Sequence, residues 1–554
     1  MELARGRDPP QRNRPVLDHR VRLPDPAGND FRGVAHDRLR GRRVLLLGPV
    51  GMGEAPPRPP GGTAGRGVRL IRTPEPWKAY IPVSQSLFVG EPYRSRLGHD
   101  TMAKRTPKDL RGPKIVAVPP GPKSKAAMAR KERFITNAVK VALPIDVTAA
   151  EGPFVQDADG NVYIDLGGGI GVQTAGHRPP SVIRAAKDEL DRLTHISFMV
   201  ATYAPYTDLA ARMAEICPPG LTKSIFLNSG SEAIENAVKI SRAATKRAWL
   251  VSFKTAFHGR TLLDISLTGK DKPYRDGFGP LVREVILADY AYPYRDPQGL
   301  PPAECAKARV EEIERLINQP EAAGRVAAIL AEPVQGEGGM IVPPKEFFPL
   351  LRKLCDAHGI VLVDDEVQAG MGRTGKLWAI ENWNTVPDIL VSGKAVGGGL
   401  PFGGVTGKPA VMDRPGPGSL GGTFGGNPVV CAAALEAIDV IQKALPKTKK
   451  LEALIRKRLD EIFDGHDRVG EVRGIGAMWA LEFVKDRRTK EPDVELARAV
   501  QLAGLKNGLV LLTAGFFNNC IRLLPPINIP LPLMAKALDL LEDSLDLALA
   551  GKAA

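Results

Sequence analysis

Short, continuously apolar runs alternate with amphipathic stretches along most of this chain, from about residue 112 onward. Residues 360–363 and 389–391 carry only apolar side chains, whereas residues 346–357 repeat their apolar positions at helical spacing. Apolar runs of this length are typical of strands that are buried on both faces, with helices covering those faces. The pattern therefore predicts an α/β fold, in which a mostly parallel sheet forms a large domain beside a smaller α+β domain.

Two charged residues follow these apolar runs, at places where a charge is costly to bury. Asp365 comes after the run at 360–363, and Lys394 follows residues 389–393 and opens a glycine-rich stretch. Most lysines are solvated and most aspartates at strand ends are turn residues, so neither residue alone indicates a function. A buried lysine is usually paired, neutralised or covalently engaged, and its neutral amine is the reactive form. Together the two residues match what pyridoxal phosphate requires, a lysine for an imine and an aspartate facing the pyridinium nitrogen.

A third segment, residues 224–237, has the pattern of a strand, a turn of small residues and a helix. Unpaired backbone amides and the positive dipole end at the start of such a helix attract phosphate, and Gly230 lets an anion approach closely. The pattern also fits an ordinary helix start that Ser229 or Ser231 caps without binding a ligand. From the pattern alone, both interpretations of this segment stay open.

The strand ends that carry the two charged residues belong to a longer series of motifs. In chain order these are Asp365-Glu366-Val367-Gln368-Ala369-Gly370-Met371-Gly372-Arg373-Thr374-Gly375, Pro387-Asp388 and Ser392-Gly393-Lys394-Ala395. The series resembles the signature of the class III aminotransferases, which are pyridoxal-phosphate enzymes of fold type I. The resemblance extends from about residue 112 to about residue 549. It implies that Lys394 forms an internal aldimine with the cofactor and that Asp365 keeps the ring nitrogen protonated.

The resemblance also implies a set of further cofactor contacts. The complete set is Ser229, Gly230, Ser231, Phe257, His258, Asp365, Val367, Gln368, Lys394 and Thr423. Residues 229–231 would hold the phosphate, and Gln368 would hydrogen-bond the ring hydroxyl. Phe257 would stack on the ring, opposite Val367; several relatives carry tyrosine there, so a hydroxyl is lost. Thr423 matches the family threonine that reaches the phosphate of the neighbouring subunit, which implies a homodimer or a higher homo-oligomer.

Two arginines and one glutamate match the residues with which this family binds its substrates. By resemblance, Arg260 would bind the distal carboxylate of 2-oxoglutarate and Arg522 its α-carboxylate, and with an ω-amino donor Arg522 would fold back onto Glu337. A planar guanidinium suits this role because it grips a carboxylate through two parallel hydrogen bonds. The expected activity is transfer of an amino group from a donor such as 4-aminobutyrate to 2-oxoglutarate.

Other activities on the same scaffold stay open at this point. Amino-acid racemases share the motif at residues 364–375 and return the proton to the opposite face without releasing a keto product. Ornithine, acetylornithine, lysine and diamines are alternative donors, because the pocket walls rather than these motifs choose among them.

The first hundred residues differ in composition from the remainder. Residues 1–110 hold 21 Lys/Arg against 11 Asp/Glu, so they carry ten of the chain's fourteen net positive charges. Three interpretations compete: a nucleic-acid-binding arm, a targeting extension, or translated upstream sequence with the true start at Met102, which we favour. The expected organisation is an arm at 1–111, a small domain made of 112–166 and 431–554, and a large cofactor domain at 167–430.

The cysteines and the longest apolar runs indicate the cellular compartment in which the protein is expected. The five cysteines are scattered and include no Cys-x-x-Cys pair, which argues for the reducing cytoplasm and against a zinc site or a disulfide framework. No apolar run approaches membrane-spanning length. Apart from the arm and the basic pI, nothing favours a nucleic acid as partner, so small-molecule substrates are expected.

Overall fold

The computed structural model describes residues 110–551. Nearly all of the predicted arm, with Met102, lies outside the described residues. The strands, in chain order, are β1 (Val147–Glu151), β2 (Phe154–Asp157), β3 (Val162–Asp165), β4 (Lys223–Leu227), β5 (Trp249–Phe253), β6 (Val285–Ala288), β7 (Val326–Ala331), β8 (Val361–Asp365), β9 (Ile389–Gly393), β10 (Gly403–Gly407), β11 (Val469–Ile475), β12 (Met478–Phe483), β13 (Leu509–Val510), β14 (Leu512–Ala514) and β15 (Cys520–Leu523).

The α-helices of the described residues cover these strands. They are α1 (Pro122–Phe134), α2 (Pro180–Leu190), α3 (Ala204–Ile216), α4 (Gly230–Thr245), α5 (Leu262–Ser266), α6 (Pro302–Ile317), α7 (Phe347–His358), α8 (Pro409–Met412), α9 (Pro428–Ala444), α10 (Thr448–Gly465), α11 (Val494–Lys506) and α12 (Leu531–Leu549). None of the helices between residues 110 and 551 combines the length and the apolarity that a membrane span needs.

The largest sheet has seven strands in the order β4-β10-β9-β8-β7-β5-β6. Strands β9, β8, β7, β5 and β6 pair in parallel, and β10 is antiparallel to both of its neighbours. The predicted α/β class with a mostly parallel sheet is therefore confirmed. Parallel pairing requires crossover connections, and the helices between successive strands provide them.

The core lies on both faces of this sheet, as the continuous apolar runs predict. In β8, Val361 and Val363 pack with Ile234 of α4 on one face, whereas Leu362 packs with Leu351 of α7 on the other. Because successive side chains of a strand point to opposite faces, both must be apolar when helices cover both. Burial on both sides holds the strand ends, and whatever follows them, in fixed positions.

Two four-stranded sheets accompany the large one, in the orders β1-β2-β3-β13 and β11-β12-β15-β14. Strands β13 and β14 are separated by Leu511 alone and belong to different sheets, so the chain passes from one sheet to the other at this residue. Helix α9 crosses the domain boundary that the sequence places at residue 430. The division into domains stays a prediction.

Strands β4, β5, β7, β8 and β9 all run in the same direction, so their carboxyl ends meet at one edge of the sheet. In open α/β sheets ligands bind in the crevice at this edge. The segments that leave these strands carry the residues singled out from the sequence.

Candidate active site

A cavity of about 530 Å³ opens at the carboxyl edge of the large sheet. Ten of the predicted site residues line it: Ser229, Gly230, Ser231, Phe257, His258, Arg260, Asp365, Val367, Gln368 and Lys394. They come from the segments after β4, β5, β8 and β9 and are spread over more than 160 positions of the chain. The fold therefore brings most of the predicted set into one space.

Lys394 directly follows β9 and has an unusual backbone conformation. Its φ of +43° lies in the left-handed region, which residues with a side chain rarely adopt and which is found disproportionately at functional sites. Burial lowers the pKa of the Lys394 amine to about 8; the charge of Glu337 opposes this shift and that of Arg522 adds to it. The amine forms no ion pair with any other residue between 110 and 551. Part of the Lys394 population is therefore neutral and available as a nucleophile near neutral pH.

Asp365 is the last residue of β8 and is held by two hydrogen bonds. Its Oδ2 lies 2.7 Å from Nδ1 of His258, and its Oδ1 accepts a hydrogen bond of 3.0 Å from the Val367 amide. Burial alone would lower the pKa of His258, but the hydrogen bond and the charge of Asp365 outweigh it and raise the pKa. On its other side, Nε2 of His258 lies 3.2 Å from the Ser252 hydroxyl, which donates to the Leu267 carbonyl. Since that hydroxyl proton is already used, Nε2 is the donor to Ser252.

The start of α4 forms another wall of the cavity. Ser229 caps the helix, because its hydroxyl accepts a hydrogen bond of 3.2 Å from the Glu232 amide. The amides of Gly230 and Ser231 donate to no protein group within the described part of the chain. A Cβ atom in place of a hydrogen of Gly230 would lie 3.0 Å from the side chain of Val367, so the glycine allows Val367 to pack closely against the start of the helix. Ser229 is thus the N-cap residue, and the amides of Gly230 and Ser231 are available for an anion.

The space between these walls has the donor set that pyridoxal phosphate needs. The Oε1 atom of Gln368 is buried without a hydrogen-bond partner, and a side chain at Gly336 would lie 2.1 Å from it. A buried amide oxygen without a partner is uncommon in proteins and indicates a missing ligand or water. With free amides at one end and Lys394 and Asp365 at the other, the residues fit the phosphate, the aldehyde and the ring nitrogen of this cofactor.

Arg522 and Glu337 do not line this cavity but form a salt bridge beside it. Arg522 lies on β15, and its guanidinium pairs with the carboxylate of Glu337, which follows β7. Burial favours a neutral Glu337, but the charge and hydrogen bond of Arg522 outweigh it and lower the pKa; the amines of Lys394 and Lys270 add to this. The pair is therefore ionised and close to Lys394.

Two predicted residues are exposed. Arg260 lines the cavity but forms no ion pair with any carboxylate within residues 110–551, and its guanidinium lies 5.1 Å from the ring centre of Tyr274. Thr423 does not line the cavity of its own chain and faces solvent next to Phe424. Thr423 is the one predicted cofactor contact that the fold of a single chain does not bring to the site.

The sequence reasoning missed Glu332 and Tyr274. Glu332 lines the cavity, and its carboxylate accepts hydrogen bonds of 3.0 Å from the amides of Phe257 and Gly336. Burial, together with the charge of Asp365, raises the pKa of Glu332 to about 7. Glu332 directly follows β7, and Asp365 is the last residue of β8, so both carboxylates lie at the carboxyl ends of neighbouring strands. The apolar run ahead of Glu332 was a signal available in the sequence. Tyr274 lies in a short turn that no apolar pattern marks.

Comparison with known proteins bears on this site. The family model of the class III aminotransferases matches residues 135–545. The chain is 42% identical over 433 residues to the 4-aminobutyrate aminotransferase of Mycobacterium leprae, with 77% of this chain and 96% of that protein covered. It is 39% identical over 430 residues to the 5-aminovalerate aminotransferase DavT of Pseudomonas aeruginosa, with 76% and 98% covered.

Solved structures agree with these sequence relatives. An ω-aminotransferase from Paracoccus denitrificans superposes with a TM-score of 0.71 at 29% identity, covering 76% of this chain and 99% of that one. The family model spans most of the described residues, and the related proteins are matched over nearly their whole length. The chain therefore belongs to the class III aminotransferases and is a pyridoxal-phosphate-dependent enzyme of fold type I.

Proposed function

We propose that this enzyme transfers the terminal amino group of an ω-amino acid, such as 4-aminobutyrate or 5-aminovalerate, to 2-oxoglutarate. The observation that carries this proposal is the pairing of Arg522 with Glu337 beside Lys394, while Arg260, which lines the cavity, has no carboxylate partner within residues 110–551. Relatives named for these two donors support it.

The two arginines explain how one pocket serves two unlike substrates. A dicarboxylate needs two cationic sites, and Arg522 becomes available when its carboxylate partner is replaced by that of the substrate. An ω-amino acid has one carboxylate, which Arg260 binds, and its amino end meets an environment that Glu337 has neutralised. Glu337 thus neutralises Arg522 until a substrate carboxylate replaces it.

The other cavity residues would each bind a different part of the cofactor. Lys394 would bind its aldehyde covalently and afterwards move the proton at the reacting substrate carbon. Asp365, kept in place by His258, would hold a proton on the ring nitrogen. Gly230 and Ser231 would bind the phosphate through their free amides. When bound, pyridoxal phosphate supplies the electron sink that stabilises the substrate carbanion.

A homodimer completes this proposal. An exposed apolar patch consists of Ile196, Met199, Val200 and Phe424, whose exposed fractions are 44%, 62%, 76% and 59%. Thr423 adjoins this patch, so a second copy that covers it would bring one chain's threonine to the other chain's phosphate site. Such clusters of exposed apolar side chains mark interaction surfaces. Phe424→Asp should therefore yield a monomer in sedimentation equilibrium, with weakened cofactor retention, whereas a dimeric variant would contradict this surface.

The cytoplasm is the compartment that we propose. All five cysteines of the chain are buried free thiols, which fits a reducing environment.

The racemase alternative finds no support among the relatives, which are named as aminotransferases. Incubation of the enzyme with one amino-acid enantiomer and no 2-oxo acid provides the direct test. We expect the enantiomer to persist, and net turnover of 4-aminobutyrate to require 2-oxoglutarate. Racemisation under these conditions would overturn the assignment.

The role of Lys394 is tested by chemical labelling. Borohydride reduction of the holoenzyme, followed by peptide mapping, should place the cofactor adduct on Lys394, and Lys394→Ala should lose both the adduct and turnover. Lys270→Ala serves as a matched control, because burial lowers the pKa of Lys270 too, although its amine is hydrogen-bonded to Gly515 and Asn518. An adduct on any other lysine would refute the assignment.

A further inference from the structure

Tyr274 lies against Arg260 of the proposed substrate site and within electrostatic range of Arg522. Its ring centre is 5.1 Å from the guanidinium carbon of Arg260 and 5.0 Å from the ring centre of Phe257, with an angle of 56° between the two rings. Burial and the charge of Glu337 raise the pKa of its hydroxyl, whereas the charges of Arg260 and Arg522 lower it. Tyr274 is therefore close to every charged residue that the proposed function uses for carboxylates.

The segment that carries Tyr274 is anchored to the protein at its start. There the Lys270 amine donates hydrogen bonds of 2.9 Å to the Gly515 carbonyl and 2.6 Å to the Asn518 side chain. The Gly515 amide in turn donates to the carbonyl of Glu337 at 3.0 Å. Around Tyr274, Arg275 pairs with Asp271 within the same turn at 3.5 Å. The turn is thus anchored to the same loop that holds the backbone of Glu337.

The contact has a consequence for Arg260. A guanidinium over an aromatic face is attracted by the ring and has its plane fixed, while the N–H groups at its edge stay free. Arg260 forms no ion pair within residues 110–551, so the ring of Tyr274 is its main restraint. An exposed arginine without such a restraint would lose much side-chain freedom on binding a carboxylate.

We propose that Tyr274 is a specificity-determining residue, whose ring preorganises Arg260 and so favours ligands that place a carboxylate on Arg260 over uncharged analogues of the same shape. This inference rests on the proposed role of Arg260. It assigns the aromatic face of Tyr274, rather than its hydroxyl, as the acting group, because the hydroxyl has no hydrogen-bond partner in the described part of the chain.

Two ligands of equal length test the inference without turnover. Pentanoate and pentanamide differ only in that the amide is uncharged, and their dissociation constants can be measured by titrating the holoenzyme and following the cofactor absorbance. In the proposed binding mode the single carboxylate of pentanoate lies on Arg260, so the readout is the preference for pentanoate, meaning the ratio of the two constants. We expect Tyr274→Leu to lower this preference about fivefold, the size of one exposed cation–π contact, and Tyr274→Phe to keep it within about twofold. Tyr274→Met is a second variant without a ring and should behave like Tyr274→Leu.

Arg260→Ala separates failure of this inference from failure of the proposed function. It should abolish most of the preference for pentanoate over pentanamide, and adding Tyr274→Leu to it should change nothing further. If Arg260→Ala leaves the preference intact, the proposed role of Arg260 is wrong, and the inference falls with it. If Arg260→Ala removes the preference but Tyr274→Leu and Tyr274→Met do not lower it, only the inference on Tyr274 is overturned. A loss in Tyr274→Phe equal to that in Tyr274→Leu would overturn it too, because the hydroxyl would then be the acting group.

Discussion

Replacing Glu337 by glutamine should separate the two half-reactions of this enzyme. Arg522 is 5% exposed, its Nε atom is buried without a partner, and Glu337 is its only side-chain hydrogen-bond partner within residues 110–551. Glutamine has nearly the same shape as glutamate but no charge. The variant therefore keeps the packing but removes the negative charge that neutralises Arg522.

The magnitude follows from the charge that is lost, because the glutamine oxygen can still accept a hydrogen bond from Arg522 but does not neutralise it. Removing the charge of one partner of a buried ion pair costs about 2–5 kcal/mol, and about 2 kcal/mol corresponds to a factor of roughly 30. With 4-aminobutyrate, the reacting end of the donor would lie beside an uncompensated Arg522, so kcat/KM should fall about 30-fold. With glutamate, the α-carboxylate itself replaces Glu337 at Arg522. That half-reaction should stay within about threefold of the unchanged enzyme.

Single-turnover absorbance changes of the bound cofactor measure each half-reaction by itself. Glu471→Gln is a suitable control, because Glu471 also pairs with a buried arginine, Arg473, but does not line the cavity. The control should leave the ratio of the two half-reactions unchanged. Equal losses of rate with 4-aminobutyrate and with glutamate in the Glu337 variant would refute the idea that Glu337 neutralises Arg522 for one substrate only.

Two further predictions concern Lys394 and the core. The amine of Lys394, with a pKa of about 8, is protonated below that pH and neutral above it, so covalent capture of the cofactor by apoenzyme should accelerate about tenfold from pH 7 to pH 9 and then level off. The free amine of Nα-acetyl-lysine, with its ordinary pKa, should react faster still as the pH rises further. A capture rate that does not depend on pH would contradict the prediction. Phe347→Ala should lower the free energy of unfolding by about 3–5 kcal/mol in urea denaturation, because Phe347 is fully buried against Phe253 and Tyr290. Phe517→Ala, at a position 42% exposed, should lower it much less. Equal losses in the two variants would count against this description of the core.

Local patterns were sufficient for the elements and for the residues that directly follow them. The strand ahead of Lys394 was expected at residues 389–393 and is found as Ile389–Gly393, and the helical spacing at residues 346–357 corresponds to α7, Phe347–His358. Such elements follow from side-chain periodicity, which neighbouring residues determine. Because parallel strands share an edge, chemistry at the ends of two buried strands also implied that Asp365 and Lys394 lie near each other.

The sequence by itself thus determined the fold class, the cofactor and the residues at strand ends, because each depends on short-range pattern or on a recognisable motif. Only the tertiary structure decided that Tyr274 contacts Arg260 and that Glu332 lines the cavity. The pairing of Arg522 with Glu337, which lies 185 positions away, was implied by the family resemblance but by no local pattern. These relations depend on how the smaller sheets and the connecting loops pack against the large sheet. No local preference encodes that packing, because it comes from contacts between side chains that are distant along the chain.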